Sequence, residues 1–307
     1  MNALRRFRLT FPVGVAIVLV AVALFAGLLA PYDPLAVNPL RALEGPSAEY
    51  LLGTDALGRD QLSRLLVAAQ TTILAVGSVV LIGAIFGMTV GVIAGYFGGV
   101  VDEILMRIVD AFLWIPTLLA SLTLLGTLGP GYGNLLLAMA IATWAPYARL
   151  SRGQIIVARR QGYIEALRVM GASPARIIIR HLIPAARGPV VVFASTDAGA
   201  LTLVLATLSF LGLGVQPPTP EWGQMMTEAR PYLESLPLLG IMPTVCITVL
   251  VVVLNLAGES IANNQGAGAS TPSAWRVRLL GWRVPREAPV DTDPTATPRA
   301  TERIGTR

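Results

Sequence analysis

Polar and apolar positions along this chain separate into long blocks and rarely alternate. Apolar runs occupy 11–30, 71–97, 108–128, 134–150, 189–213 and 237–257. About 20 helical residues cross a hydrocarbon core of roughly 30 Å, and tilt accommodates longer runs. The pattern therefore predicts an all-α integral membrane protein with six transmembrane helices. The run at 134–150 is the shortest and contains Pro146, with Trp144, Tyr147 and Arg149 as an interfacial anchor. The first run exceeds the roughly 7 to 15 residues of a signal-peptide core. Although Arg5 and Arg6 hint at a twin-arginine leader, no small-x-small cleavage site precedes Pro31, so 11–30 is read as an uncleaved span.

The polar blocks between the runs set the orientation. Arg5, Arg6 and Arg8 precede the first span, and Arg152, Arg159, Arg160, Arg168, Arg176, Arg180 and Arg187 fill the segment after the fourth. Arginine marks the cytoplasmic side, which predicts cytoplasmic N- and C-termini. The segment 31–70 offsets Arg41, Arg59 and Arg64 with Asp33, Glu44, Glu49, Asp55 and Asp60, and 216–236 holds only Arg230. Both are expected to face outward.

Composition changes this picture by exclusion. The chain is 54% hydrophobic and 13% charged, with mean hydropathy +0.66, beyond the range of soluble domains. No Lys occurs, so no Walker A loop can cradle a phosphate. A single Cys (Cys246) and a single His (His181) leave neither a disulfide framework nor a Cys/His metal cluster. No cofactor is expected in this chain. The net charge of +5 is accounted for by orientation without invoking nucleic acid.

Within the second run Gly83, Gly87, Gly91 and Gly95 recur every four residues and fall on one helix face. Such faces let membrane helices pack closely, so a structural seam is expected. Ionisable groups inside spans are costly and need a reason. Asp110 follows Arg107 and Glu103 at helical spacing, predicting an ion-pair ladder along its own helix. Asp197 has no local partner; it faces either a neighbouring helix or a water-filled path, and is a candidate for the solute pathway.

The charged segment GYIEALRVMGASPARIIIRHLIPAARG, 162–188, reads as helix, tight turn, helix. Gly171 suits the position after a helix end, and Ser173-Pro174 supplies an N-cap with proline at the first helical position. The second helix is expected to run to Pro184. Its Arg176 and Arg180 lie four apart and repel weakly unless lipid phosphate or an acidic partner offsets them. A basic helix-turn-helix can read DNA, but the isoleucines Ile177, Ile178 and Ile179 and the flanking spans favour apposition to lipid.

The pattern Glu165-Ala166, Gly171, Ile183-Pro184 resembles the EAA loop of the membrane subunits of bacterial ABC importers. The stretches LLGTDALGRDQLSRL, GYFGGVVDEILMRIVD, YARLSRGQ and LSFLGLGVQPPTPEWG further resemble the C-type permease subunit of the dipeptide/oligopeptide/nickel family. The resemblance implies the type I permease fold and a coupling helix, formed around Glu165, Ala166, Leu167, Gly171, Ser173, Pro174, Arg176 and Arg180, that docks on a cytoplasmic ATPase. Its implied partners are a second homologous permease, two ATPases that bind ATP and Mg, an extracytoplasmic solute-binding protein and membrane lipid. The location it implies is the bacterial inner membrane, and the implied solutes are di- or oligopeptides, with nickel or other small solutes as the alternative. Three positions depart from the family pattern: Leu167 stands where alanine is usual, Leu205 where glutamate is frequent, and Gln70 where arginine is.

The expected organisation is a cytoplasmic N-terminus (1–10), a first span (11–30), an extracytoplasmic segment (31–70), a permease core (71–261) with its coupling loop at 151–188, and a largely disordered cytoplasmic tail (262–307). Within the tail, SAWRVRLLGWRVPR reads equally as a lipid-surface segment or a solvated linker. Two other classes remain at this stage. A secondary transporter would use Asp197 as an ion site, and an intramembrane enzyme would need His181 as a base.

Overall fold

The computed structural model describes residues 2–264. Among these the regular structure is helical: α1 (Asn2–Leu24), α2 (Gln61–Phe97), α3 (Gly99–Leu113), α4 (Thr117–Leu128), α5 (Tyr132–Arg159), α6 (Gly162–Val169), α7 (Pro174–Ile177), α8 (Ile183–Phe210), α9 (Trp222–Ala229) and α10 (Leu238–Asn264). The tail beyond Asn264, with its tryptophan-arginine patch, lies outside the described residues.

Among the described residues three rods are long and apolar enough to cross a membrane: α2, the continuous helix Pro174–Phe210, and α10. They carry exposed large apolar side chains, such as Leu81, Ile85 and Phe86 on α2 and Val245, Val249, Val252 and Leu256 on α10. A helix apolar on every side belongs in lipid or in a larger apolar assembly. The first apolar run is interrupted: α1 stops at Leu24, Phe25 leaves the helix, and a single turn, Ala26–Leu29, follows.

The third expected span, 108–128, is not one straight helix. It belongs to the pair α3 and α4, bent by 85°. Pro116 is the cause, because it has no N–H to donate and its ring forces Ile115 out of helical geometry. α3 is amphipathic and presents Val100, Ile104 and Ile108 on its exposed face. Asp110 does not join a ladder along α3; its ion-pair partner is Arg149 on α5. Asp102 is likewise held by Arg152 of α5 through two parallel hydrogen bonds.

The fourth run extends well past its expected limits, into the 28 residues of α5. The fifth span also starts early. Pro184 does not end the helix after α7, because a π-helical turn, Ile178–Leu182, joins α7 to α8, with the Ile183 N–H reaching Ile178 O. A π turn shifts the hydrogen-bond register from i−4 to i−5, so the proline ring is seated without breaking the rod.

The most extensive helix contact in the chain is between α2 and α5. A Cβ on Gly87 would lie 2.6 Å from Tyr147 Cβ, one on Gly91 2.8 Å from Ser151 Cβ, and one on Gly95 2.9 Å from Ile155 Cβ. Gly83 has slightly more room, 3.2 Å from Thr143 Oγ1. All four glycines thus face α5, as the four-residue repeat predicts. Beside this seam Val76 and Val79 of α2, Leu125 of α4, Leu135 and Met139 of α5, and Leu201, Leu205 and Leu208 of α8 form a core. Leu205 is fully buried in that core, an apolar setting that suits leucine and would penalise a carboxylate.

Gly87→Ala is expected to lower the melting temperature of the purified protein by several degrees, as overpacking costs about 1 to 3 kcal/mol. Gly77→Ala, where an added Cβ meets nothing within 4 Å, is the control and should be neutral. Equal melting temperatures for the two variants in a thermal scan would refute the seam.

Candidate coupling site and its supports

The candidate coupling segment is built on a helix end. α6 ends in a Schellman motif: Ala172 N–H donates to Leu167 O and Gly171 N–H to Arg168 O, both at 3.0 Å. Gly171 adopts φ +79, a left-handed conformation that costs a residue with a Cβ about 1 kcal/mol or more. Two residues later Ser173 caps α7, its Oγ accepting from Arg176 N–H at 3.4 Å, with Pro174 at the first helical position. The reversal that the sequence suggests is therefore fixed by a backbone hydrogen-bond pair before the turn and a side-chain cap after it.

α6 has two faces. Ile164 is fully buried and Leu167 half-buried, in a cluster with Val92 of α2, Ile155 and Ala158 of α5, and Ile177, Leu182 and Ala186 beyond the turn. Glu165, Ala166, Val169 (86% exposed) and Met170 (73% exposed) lie uncovered. Leu167 thus packs against the chain's own core, where its volume acts first on how α6 is seated. Arg176 and Arg180 are exposed, with no ion pair among the described residues. His181 lies against the ring of Tyr163, with centroids 6.0 Å apart.

Two arginines fasten the seat. Arg159, at the end of α5, donates from one Nη1 to Tyr96 O at 2.5 Å and to Gly95 O at 3.3 Å. It satisfies carbonyls that the end of α2 leaves without partners. The Arg168 guanidinium stands over the Tyr96 ring, 5.6 Å from its centroid.

Asp197 faces a neighbouring helix. The Tyr147 hydroxyl, on α5, donates to its Oδ2 at 2.8 Å. The seam glycines allow Tyr147 to sit there, since Gly83 and Gly87 both face it.

The opposite end of the bundle carries a second polar assembly whose pairing the sequence did not reveal. Asp60 caps α2, accepting from Ser63 N–H at 2.8 Å. Asp55 accepts from the N–H of Leu57 and Arg59 and from Arg59 Nε, at 2.6 to 3.0 Å. Arg59 and Arg64 both donate to Glu228 Oε2 of α9, at 3.1 and 2.7 Å. The Arg64 side chain is only 1% exposed. Glu221 caps α9, accepting from Gly223 and Gln224 N–H at 3.0 Å and from the Thr72 hydroxyl at 3.3 Å. Burial pushes this carboxyl upward from its ordinary range against those hydrogen bonds. Trp222 Nε1 donates to Leu65 O at 3.1 Å, and Gly223 abuts the backbone of Ala206. The sequence signals were the charge-dense GTDALGRDQLSR and PEWG stretches, whose partners lie 164 residues apart in the case of Arg64 and Glu228.

The family model described as a binding-protein-dependent transport system inner membrane component matches residues 87–267. The chain belongs to this family. The glutathione transport system permease protein GsiD of Pectobacterium atrosepticum is 40% identical over 248 residues, 80% of this chain and 82% of its own length. The nickel transport system permease protein NikC of Escherichia coli K12 is 38% identical over 234 residues, 76% of this chain and 84% of its own. In structure the permease resembles a chain of the MetNI methionine ABC transporter in an inward-facing conformation. The TM-score is 0.53 at 21% identity, covering 65% of this chain and 95% of that one, a likeness of fold. The chain is thus an inner-membrane transport permease of the peptide/nickel family, with an all-α fold shared with that importer.

Glu228→Ala would leave Arg59 and Arg64 buried beside Asp55 alone, a loss on the order of 3 kcal/mol. The expected result is a clear fall in thermal stability with coupling-helix residues untouched. An unchanged melting curve would show that the outer network carries no stability.

Proposed function

We propose that this permease forms half of the translocation pathway of an ATP-driven importer and receives the ATPase stroke through α6. The exposed face of Glu165, Ala166, Val169 and Met170, on a helix whose turn is locked at Gly171 and whose back is packed into the bundle, carries this reading. A short helix so seated transmits a push without bending, because its far end cannot yield independently of α2, α5 and α8. Arg176 and Arg180 flank that face and supply charge for an acidic partner or lipid phosphate. ATP chemistry belongs to two partner ATPases, and a second homologous permease completes the path.

In this reading α6 and both termini are cytoplasmic, while the Asp55–Arg59–Arg64–Glu228 network and α9 face the binding protein outside. The arginine distribution supports that orientation. The solute class is small peptides. GsiD relatives are named for glutathione, itself a small peptide; the nearly equal identity to NikC makes nickel the competing solute.

Glu165→Arg in the complete reconstituted importer is expected to reduce ATP-dependent uptake at least about tenfold while the permease still assembles in the membrane. Uptake and ATPase association both unchanged would remove the coupling role. Measuring uptake of labelled glutathione, trialanine and nickel side by side assigns the solute; nickel uptake alone would overturn the peptide reading.

A further inference from the structure

Tyr147 belongs to the α2–α5 seam, but its hydroxyl leaves the seam for Asp197 on α8, a bond that neither the seam nor the segment at 162–188 requires. At about 1.5 Å per residue, Asp197 lies about 35 Å along the rod from Pro174 and about 20 Å from Phe210, well inside the span. Among the described residues Asp197 has no ion-pair partner. Its one hydrogen bond is the 2.8 Å bond from the Tyr147 hydroxyl to Oδ2, and the Tyr147 ring is steadied edge-on by Phe193 at 5.0 Å. A lone phenol cannot neutralise a carboxylate, and lipid would penalise the bare charge.

Asp197 lies between a buried and an exposed flank of α8. One flank of α8, with Val190, Leu201, Leu205 and Leu208, is buried in the bundle. The other flank is the stripe Thr196, Ala200, Leu203 and Thr207, at spacings of four, three and four, and all four are exposed. Asp197, half-buried, lies at the boundary between the two flanks. On α10, Gly258 abuts Thr196, and the next residue, Glu259, is exposed with no ion pair among the described residues. Neither carboxylate has an ion-pair partner among the described residues.

We propose that Asp197, oriented by Tyr147, is a cation-attracting station on a water-filled route through the membrane, and that it takes the ammonium group of a small solute in transit. This rests on the permease reading above. The phenol holds one carboxylate oxygen and leaves the other for the passing cation, so the site attracts charge without a rigid cage. Weak, single-point attraction suits a transit position, since a solute must also leave.

The test uses the complete importer with its ATPases, second permease and binding protein in nanodiscs. Cys246→Ala removes the native thiol and Ala200→Cys places a reporter on the stripe. Modification rates are measured with a trimethylammonium and a sulfonate methanethiosulfonate, each normalised to its rate with free mercaptoethanol. The cationic reagent is expected to be faster by about tenfold or more, as a charge within several ångströms in a watery setting produces. Asp197→Asn, which keeps an acceptor for Tyr147, should abolish the preference, while Tyr147→Phe, which keeps the charge, should preserve it. Binding-protein-stimulated ATP hydrolysis is read in the same samples. Normal stimulation with an unreactive Ala200→Cys, or with reactivity lacking a charge preference that depends on Asp197, overturns this proposal and leaves the permease reading intact. A complex without stimulated hydrolysis in the unsubstituted form overturns the permease reading, and the proposal with it.

Discussion

The close approach of α2 to α5 is the constraint on which the rest depends. In lipid, helices gain little by hiding apolar surface from tails that are equally apolar, so association rests on van der Waals fit and polar contacts. Gly83, Gly87, Gly91 and Gly95 remove the side chains that would hold the two helices apart. Three consequences follow from that one contact. Tyr147 reaches across to Asp197 on α8, Arg159 reaches the last carbonyls of α2, and the joined ends of α2 and α5 form the floor on which Ile164 and Leu167 seat α6.

The two ends of the bundle solve the same problem differently. At the end that carries α6 the chain reverses through a backbone hydrogen-bond pair and the Ser173 cap, and leaves one helix face uncovered. At the opposite end the connecting segments are bolted down by Asp55, Arg59, Arg64 and Glu228 and by the cap of Glu221. Buried charges contribute less to stability than their number suggests, because desolvation offsets most of the attraction. Their pairing across distant segments instead fixes which residues meet, so α9 can dock on the start of α2 in one register.

Features with local causes were legible in the sequence. The four-residue glycine repeat pointed to a packed face, and Gly171 with Ser173-Pro174 pointed to the reversal, because spacing and backbone preference act over a few residues. Apolar run length pointed to long helices but not to their ends, since α2, α5 and the rod beginning at Pro174 continue past the apolar limit through polar residues. Proline was the ambiguous signal: Pro116 breaks a helix, whereas Pro184 follows a π turn and the rod continues through it. Partner identity was not legible at all. Asp110 with Arg149, Asp197 with Tyr147 and Glu228 with Arg64 are brought together by the fold, at separations that carry no periodicity.

If the glycine seam makes α2, α5 and α6 one rigid unit, that unit must move as a whole when the ATPases close. Spin labels at Gly162→Cys on α6 and Gly77→Cys on the far half of α2, both open positions, with Cys246 replaced by Ala, report this directly. Pulsed electron paramagnetic resonance on the assembled importer should give the same distance distribution without nucleotide and with ATP trapped. A distribution that shifts or splits between the two states would contradict this, because α6 would then be moving independently of the seam.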